Sequence, residues 1–468
     1  GAAGGVLALV LSIWGDALLR RTLLAGIPLE GSALDARQGA FVAILVVFAA
    51  LIAGVVPALV ASGTPVMEAL KSGAREGGGR RHSLRTALVV VQGTLSVILL
   101  IGAGLFVRSF SRATSVDLGF VATNLLVASP DLNTVARTPE DLEQRWLRLQ
   151  DEVRALPGVA LVAQSVTIPF ESQWEYSLLI DGDTLPPLKG GGPYVNGVSV
   201  DYFRTMETPI RRGRDFAPTD RDGSALVAVI NEAMAAQVWP GRDALGQCFG
   251  VEKTEGCVTV IGIVPSARMT ELADQAPPQY FRPIAQWHPD MRSLMVRLAA
   301  PKSSGEAAVR GAILGVEASL PYVDVRPVTD IVDQQLQTWK LGATMFTLFG
   351  VLGLIVAALG LYSVIAHDVS QRRREIGVRM ALGARREDVA RLVVGSGVRQ
   401  ALVGVTLGLA LAWVVSTSVA DLLFETSPRD PVIYGSVVAV LLLVAVVASF
   451  IPARRASKLD PATVLREG

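Results

Sequence analysis

Five stretches of this chain contain no charged side chain: Gly39–Val60, Thr86–Val107, Leu341–Ala366, Gln400–Ala420 and Pro431–Ala453. At 1.5 Å of rise per residue, each is long enough as a helix to cross a hydrocarbon core. The overall hydrophobic fraction of 51% decides little, because soluble chains are already nearly half apolar. Its distribution decides. Residues 111–338 have the mixed composition of a soluble domain, set between apolar runs. Gly1–Gly15 are apolar but short, and they lack the basic start and cleavage site of a secretory signal. We read them as part of a membrane helix that begins before the first residue.

Basic residues orient the spans. Eight arginines between Arg372 and Arg399 stand against only Glu375, Glu387 and Asp388. Arg75, Arg80, Arg81 and Arg85 precede the run at Thr86, and Arg454, Arg455, Lys458 and Arg466 follow the last run. With five spans, all three basic regions fall on the cytoplasmic side, outnumbering the discordant Arg20 and Arg21. Residues 111–338 then lie outside, with the short loops Arg20–Gln38 and Asp421–Asp430. The expected fold is membrane α-helical, with about five transmembrane helices, plus an extracytoplasmic α+β domain. A net charge of +1 and the lack of any basic patch interleaved with aromatics give no support to nucleic-acid binding.

Within 111–338, strand-like runs alternate with amphipathic helices. Strands are expected at Leu125–Ser129, Gly158–Thr167, Ala225–Ile230, Cys257–Val264, Ser293–Leu298 and Val323–Arg326. Helices are expected at Pro139–Leu156, Asn231–Val238 and Gly305–Ser319. Pro139 suits a first turn, Pro157-Gly158 a stop, and Asn231 an N-cap. The pattern is α+β with βαβ elements.

The chain also repeats itself. At a shift of 395 residues, Pro57-Ala58 falls on Pro452-Ala453, Ala61-Ser62 on Ala456-Ser457, and Leu70-Lys71 on Leu465-Arg466. At a shift of 400, Gly4, Leu7, Leu9 and Leu11 fall on Gly404, Leu407, Leu409 and Leu411. Residues 1–73 therefore read as the closing half of the unit that ends at Gly468, and the chain as the C-terminal part of a duplicated protein.

Familiar chemistry is missing. No G-x-x-x-x-G-K-[ST] and no Gly-Lys pair occur, so no phosphate-cradling loop is present. His82, His288 and His367 are scattered and lack any H-E-x-x-H context; no metal or cofactor site and no catalytic grouping is expected. Glu143, Asp151 and Glu152 read as a solvated helix face. The spans hold almost no ionisable groups, which disfavours an ion-driven carrier. Cys248 and Cys257, the only two cysteines, could close a short hairpin. On the outer side they read as a disulfide rather than a metal site, two buried thiols being the alternative.

Residues 373–384, RREIGVRMALGA, resemble the cytoplasmic signature of FtsX-like permeases of the MacB type. Val200-Asp201-Tyr202-Phe203, Arg212-Gly213-Arg214-Asp215-Phe216, Ile230-Asn231-Glu232-Ala233 and Trp239-Pro240-Gly241 are similar to that family's periplasmic core, and Pro452-Ala453-Arg454-Arg455-Ala456 with Asp460-Pro461 to its tail. The resemblance covers 80–468 and implies an ABC-transporter permease without an ATPase of its own. It divides the chain into 1–73, the last two helices of a preceding repeat; 74–85, a basic cytoplasmic linker; 86–110, a transmembrane helix; 111–338, a periplasmic core domain; and 339–468, an FtsX-like domain with a coupling segment at 369–399. Arg374, Glu375, Ile376, Gly377, Arg379, Ala381, Leu382, Gly383 and Ala384 are the expected ATPase-coupling residues. Glu375 and Arg379 can pair across one helical turn, and Gly383 can end that helix in a left-handed cap so that Arg385 starts another. Implied partners are a cytoplasmic ABC ATPase, membrane lipid, and a periplasmic or outer-membrane protein, with the duplication giving a dimer or pseudo-dimer in the inner membrane. The competing expectation is an FtsX-like scaffold or sensor that regulates an envelope enzyme or lipoprotein without transport.

Overall fold

A computed structural model describes Ile44, Val47 and residues 79–457, except 181–182, 185–187, 190, 252–255, 273–275 and 301–304. Apart from Ile44 and Val47, the expected span at Gly39–Val60 and the repeated block 1–73 lie outside the described residues, as do Arg75, Lys458 and Arg466. The chain divides into two compact units, Ser111–Gln337 and a second formed by Gly1–Phe110 with Thr338–Gly468. Helix α1 (Gly79–Thr114) begins ahead of the expected Thr86. The basic stretch before Thr86 is therefore partly helical rather than all linker, since arginine is a good helix former and nothing there breaks the turn.

The outer unit runs β1 (Leu125–Ser129), α2 (Pro139–Arg154), β2 (Val159–Ser165), β3 (Trp174–Glu175), β4 (Leu178–Ile180), β5 (Asp183–Thr184), β6 (Tyr194–Val198), α3 (Tyr202–Thr205), β7 (Arg212–Gly213), β8 (Val227–Asn231) and α4 (Glu232–Val238). It continues with β9 (Cys248–Val251), β10 (Val258–Val264), β11 (Gln279–Pro283), α5 (Ile284–Trp287), β12 (Ser293–Leu298), α6 (Gly305–Val316) and β13 (Asp324–Pro327). The strands join in the order β13-β1-β12-β2-β6-β11-β8-β10-β9-β4-β5, with β3 on β6 and β7 on β10. Most neighbours are antiparallel; β8 with β10 and β6 with β11 are parallel. The βαβ element is β8–α4–β10.

Local chemistry explains the helices. Thr138 accepts from the Asp141 N–H at 3.2 Å, and Pro139 opens α2 where no donor is needed. Leu142, Trp146, Leu149 and Val153 recur at helical spacing and pack with Leu126, Val296 and Ile313 in one core. Asn231 caps α4 by accepting from Met234 N–H at 2.9 Å. Ile230, Met234, Trp239, Phe249 and Tyr280 form a second core. Two central strands were not expected from composition, β6 (YVNGV) and β11 (QYFRP). Asn, Gly, Arg and Pro argue against strands, but partners on both sides override that local preference.

The second unit contains most of α7 (Val328–Gln371), with α8 (Arg373–Ala381), α9 (Arg386–Val415), which runs on through a 3-10 turn to Leu422, and α10 (Pro431–Ala456). Four helices among the described residues, α1, α7, α9 and α10, are long and apolar enough to cross a membrane. Their packing uses small residues, which let backbones approach where lipid removes the hydrophobic drive for association. Gly93 faces Gly404, and Thr94 Oγ1 donates to Gly404 O at 3.2 Å. Gly102 and Gly342 seat Phe346 and Phe106, whose rings stack at 5.1 Å. At one end of the bundle Arg108 pairs with Asp430 at 2.6 Å, and Ser109 Oγ accepts from Phe424 N–H. At the other, Val89, Ile365, Ile376, Val389 and Ala453 share one core. That end gathers the start of α1, the end of α7, the start of α9 and the end of α10.

Candidate functional site

The segment after α7 is an elbow. Arg372, with φ of −96°, is the one residue between α7 and α8, and its N–H still donates to Asp368 O at 3.0 Å. Helix α8 closes in a Schellman motif. Ala384 N–H donates to Arg379 O at 3.0 Å and Gly383 N–H to Met380 O at 3.1 Å, with Gly383 at a φ of +97°. Helix α9 follows at once, and the Asp388 carboxylate accepts from the Arg385 N–H at 3.1 Å.

The expected coupling residues divide by burial. Ile376 and Gly377 are buried, Ile376 in the core with Ile365, Val389 and Val393, so they hold α8 against α7 and α9. Glu375, Arg379, Ala381, Leu382 and Gly383 are exposed, and Ala384 is half-buried. Glu375 and Arg379 pair at 2.7 Å. Arg374 lies within α8. Leu382 is 82% exposed and Val378, one turn earlier, 41%. Leu382 sits at the tip of the capped turn, and Val378, which no motif reading singled out, lies one turn before it. Asp368, Glu375, Arg379, Leu392 and Ser396 line a shallow cleft between α7, α8 and α9. Leu392 and Ser396 come from the following helix, which only tertiary packing brings here.

The motif residues of the outer unit are architectural. Asp201 adopts a φ of +71° ahead of α3, and Tyr202 and Phe203 pack on Phe281 with ring centroids 5.9 and 4.9 Å away. A side chain at Gly213, whose φ is +78°, would run into the Ile261 carbonyl. Arg214 grips Asp220 with two bonds of 2.7 and 3.0 Å, holding that carboxyl below its ordinary range. Burial pushes the nearby Asp215 carboxyl up. Asn231, besides capping α4, accepts from Gln279 N–H at 3.0 Å and donates to Pro277 O at 2.7 Å. Cys248 on β9 and Cys257 just ahead of β10 have Cα atoms 5.6 Å apart, within bridging range.

One expectation is corrected. Glu143 is not a merely solvated side chain, for it bonds at 2.7 Å to Arg292, whose side chain is buried and also donates to Gln164 Oε1 at 3.0 Å. Asp151 and Glu152 are exposed as expected. No group of His, Cys, Asp and Glu among the described residues could hold a metal ion.

Residues 347–461 match the FtsX-like permease C-terminal family, and residues 83–312 match the MacB-like periplasmic core domain. Among curated proteins, the Macrolide export ATP-binding/permease protein MacB of a Shewanella species is 26% identical over 413 residues, covering 82% of this chain and 58% of that protein. The Pyoverdine export ATP-binding/permease protein PvdT of Pseudomonas putida is 25% identical over 281 residues, covering 58% and 42%. The chain spans about half the length of the curated relatives it matches. The crystal structure of the periplasmic region of MacB from Actinobacillus actinomycetemcomitans aligns over 48% of this chain and 97% of its own, at 13% identity and a TM-score of 0.34. With apolar helices long enough to span a membrane, an FtsX-type C-terminal region and a MacB-type periplasmic core, the chain belongs to the FtsX-like, MacB-type ABC transporter permeases.

Proposed function

We propose that this chain transmits ATPase-driven motion across the inner membrane to its outer domain, for export or envelope remodelling. The carrying observation is the elbow: α8 is pinned inward by Ile376 while Leu382, Val378 and Arg379 face outward on a turn closed by a Schellman motif. A cytoplasmic ABC ATPase is the partner that fits such a surface, with ATP hydrolysis carried out by that partner. Apolar knobs set on a rigid, capped helix end lose little freedom on docking, so force applied there passes into the attached helices. Helices α7 and α9 leave the elbow directly, and α7 is continuous from Val328 to Gln371. The outward-facing side chains Leu348, Phe349, Leu352 and Leu359 suit membrane lipid. The relation of 1–73 to the C-terminal block favours a pseudo-dimer of two repeats, and a periplasmic or outer-membrane protein is the partner proposed for the outer domain. Affinity capture of the full chain from membranes should retain an ABC ATPase whose vanadate-sensitive activity rises on association. Leu382→Glu should abolish that association at unchanged expression; a Leu382→Glu chain that retains the ATPase and its stimulation would overturn the reading.

A further inference from the structure

Among the described residues of the outer unit, the buried arginines follow one rule, with a single departure. Arg292 is bonded to Glu143, Gln164 and the Pro289 carbonyl, and Arg297 donates to the carbonyls of Thr205, Thr123 and Val121. Both are satisfied, as burial of a charge demands. Arg282 on β11 is only 4% exposed, its Nε is sealed off without a partner, and no hydrogen bond or ion pair reaches its guanidinium from any described residue. The titratable groups that face it are the phenols of Tyr280 and Tyr176, not a carboxylate.

What surrounds Arg282 is aromatic. Its Cζ lies 5.7 Å from the centroid of Trp287. Opposite Arg282 in the neighbouring strand stands Gly197, where a Cβ would meet Val166 and the Trp287 ring, so the glycine leaves room for the indole. Tyr176 and Trp174 approach that indole edge-on at 6.0 and 6.5 Å. Trp174 is 36% exposed, so the ring cluster reaches solvent. Two residues before Arg282, on the same face of β11, Tyr280 is fully buried and its hydroxyl also has no partner. Burial pushes that phenol up, so it stays protonated and able to donate. Two buried donors, the Arg282 Nε–H and the Tyr280 hydroxyl, thus lie on one face of β11 without an acceptor.

We propose that Arg282 and Tyr280, walled by Trp287, Tyr176 and Trp174, bind a carboxylate attached to an apolar group. One guanidinium supplies one charge, which a carboxylate balances and a phosphate dianion exceeds; the planar fork also matches a carboxylate's two oxygens. The rings take the adjoining apolar group. A peptide C-terminus and a short fatty acid share this chemistry. The site is independent of the ATPase reading, and its test needs no ATPase.

Calorimetric titration of the full chain in lipid nanodiscs separates the possibilities, with N-acetylleucine, hexanoate, N-acetylleucinamide and inorganic phosphate as probes. At least one of the two acids should bind saturably, and the stronger one names the source. The amide should bind roughly tenfold more weakly or not at all, the factor expected when a charge-assisted bond is lost. Arg282→Met should lose acid binding while its Tm stays equal to or above that of the parent, because an unpaired buried charge is removed. Tyr280→Phe, which keeps the ring, should weaken acid binding several-fold. No saturable binding of either acid, equal binding of acid and amide, tighter binding of phosphate, unchanged binding by either variant, or a lowered Tm in Arg282→Met would each overturn the proposal.

Discussion

At the scale of single residues, the elbow separates folding from contact. The Glu375–Arg379 pair is half exposed on both sides, so its loss should cost only a few tenths of a kcal/mol. Glu375→Lys should leave expression and insertion intact while reversing the charge presented to a partner, and ATPase stimulation should fall. Gly383 is different, because its φ of +97° is open to glycine and costly for a β-branched residue. Nothing lies within reach of a Cβ there, so the penalty in Gly383→Val is purely of backbone, about 1–2 kcal/mol. Helix α9 should then leave the turn at a changed angle. Membrane insertion measured beside ATPase stimulation tests both variants; parental stimulation in both would leave the arginines as a topological signal alone. The pair and the cap were legible from E-x-x-x-R and the glycine. The inward role of Ile376 was not, since burial of one helix face depends on what packs against it.

Elements of the outer domain carry their own tests. The loop between Cys248 and Cys257 is short, and a disulfide there should stabilise the domain by about 2–3 kcal/mol. Mass mapping of unreduced protein from the oxidising compartment should find the two joined; two alkylatable thiols would remove the claim. Arg214 depresses the Asp220 carboxyl in the folded state, so their interaction is fully present above the unfolded carboxylate value near ~4. It is lost as pH falls through the lower folded value. Denaturant titrations of Arg214→Met and parent should therefore differ at neutral pH and converge on acidification; a gap that widens toward low pH would contradict this. Helix α2 was readable in the sequence because cap and periodicity agreed, and strands β1 and β12 because each is a short apolar run, buried on both faces. Strands β6 and β11 were not, since their polar and glycine positions make sense only with partner strands and an overlying indole in place.

For the whole molecule, orientation is the measurable quantity. Single cysteines introduced at Asp243 and Glu387, in a background lacking Cys248 and Cys257, should be labelled by an impermeant reagent in intact cells only at the first. Labelling at Glu387 would reverse the topology read from the arginines. The apolar runs at the four described spanning helices, the mixed domain between them and the elbow's helix–glycine–helix plan were legible in the sequence, as was the pattern of basic loops on which the proposed orientation rests. Each rests on properties that act locally: hydropathy over one helix length, net charge in one loop, the conformational freedom of one glycine. The tertiary structure alone decided the pairing of Gly93 with Gly404, the order of the thirteen strands, the burial of Arg292 on Glu143, and the isolation of Arg282 among rings. These are contacts between residues far apart in the chain, and the energy that selects them comes from packing and desolvation that no single segment contains.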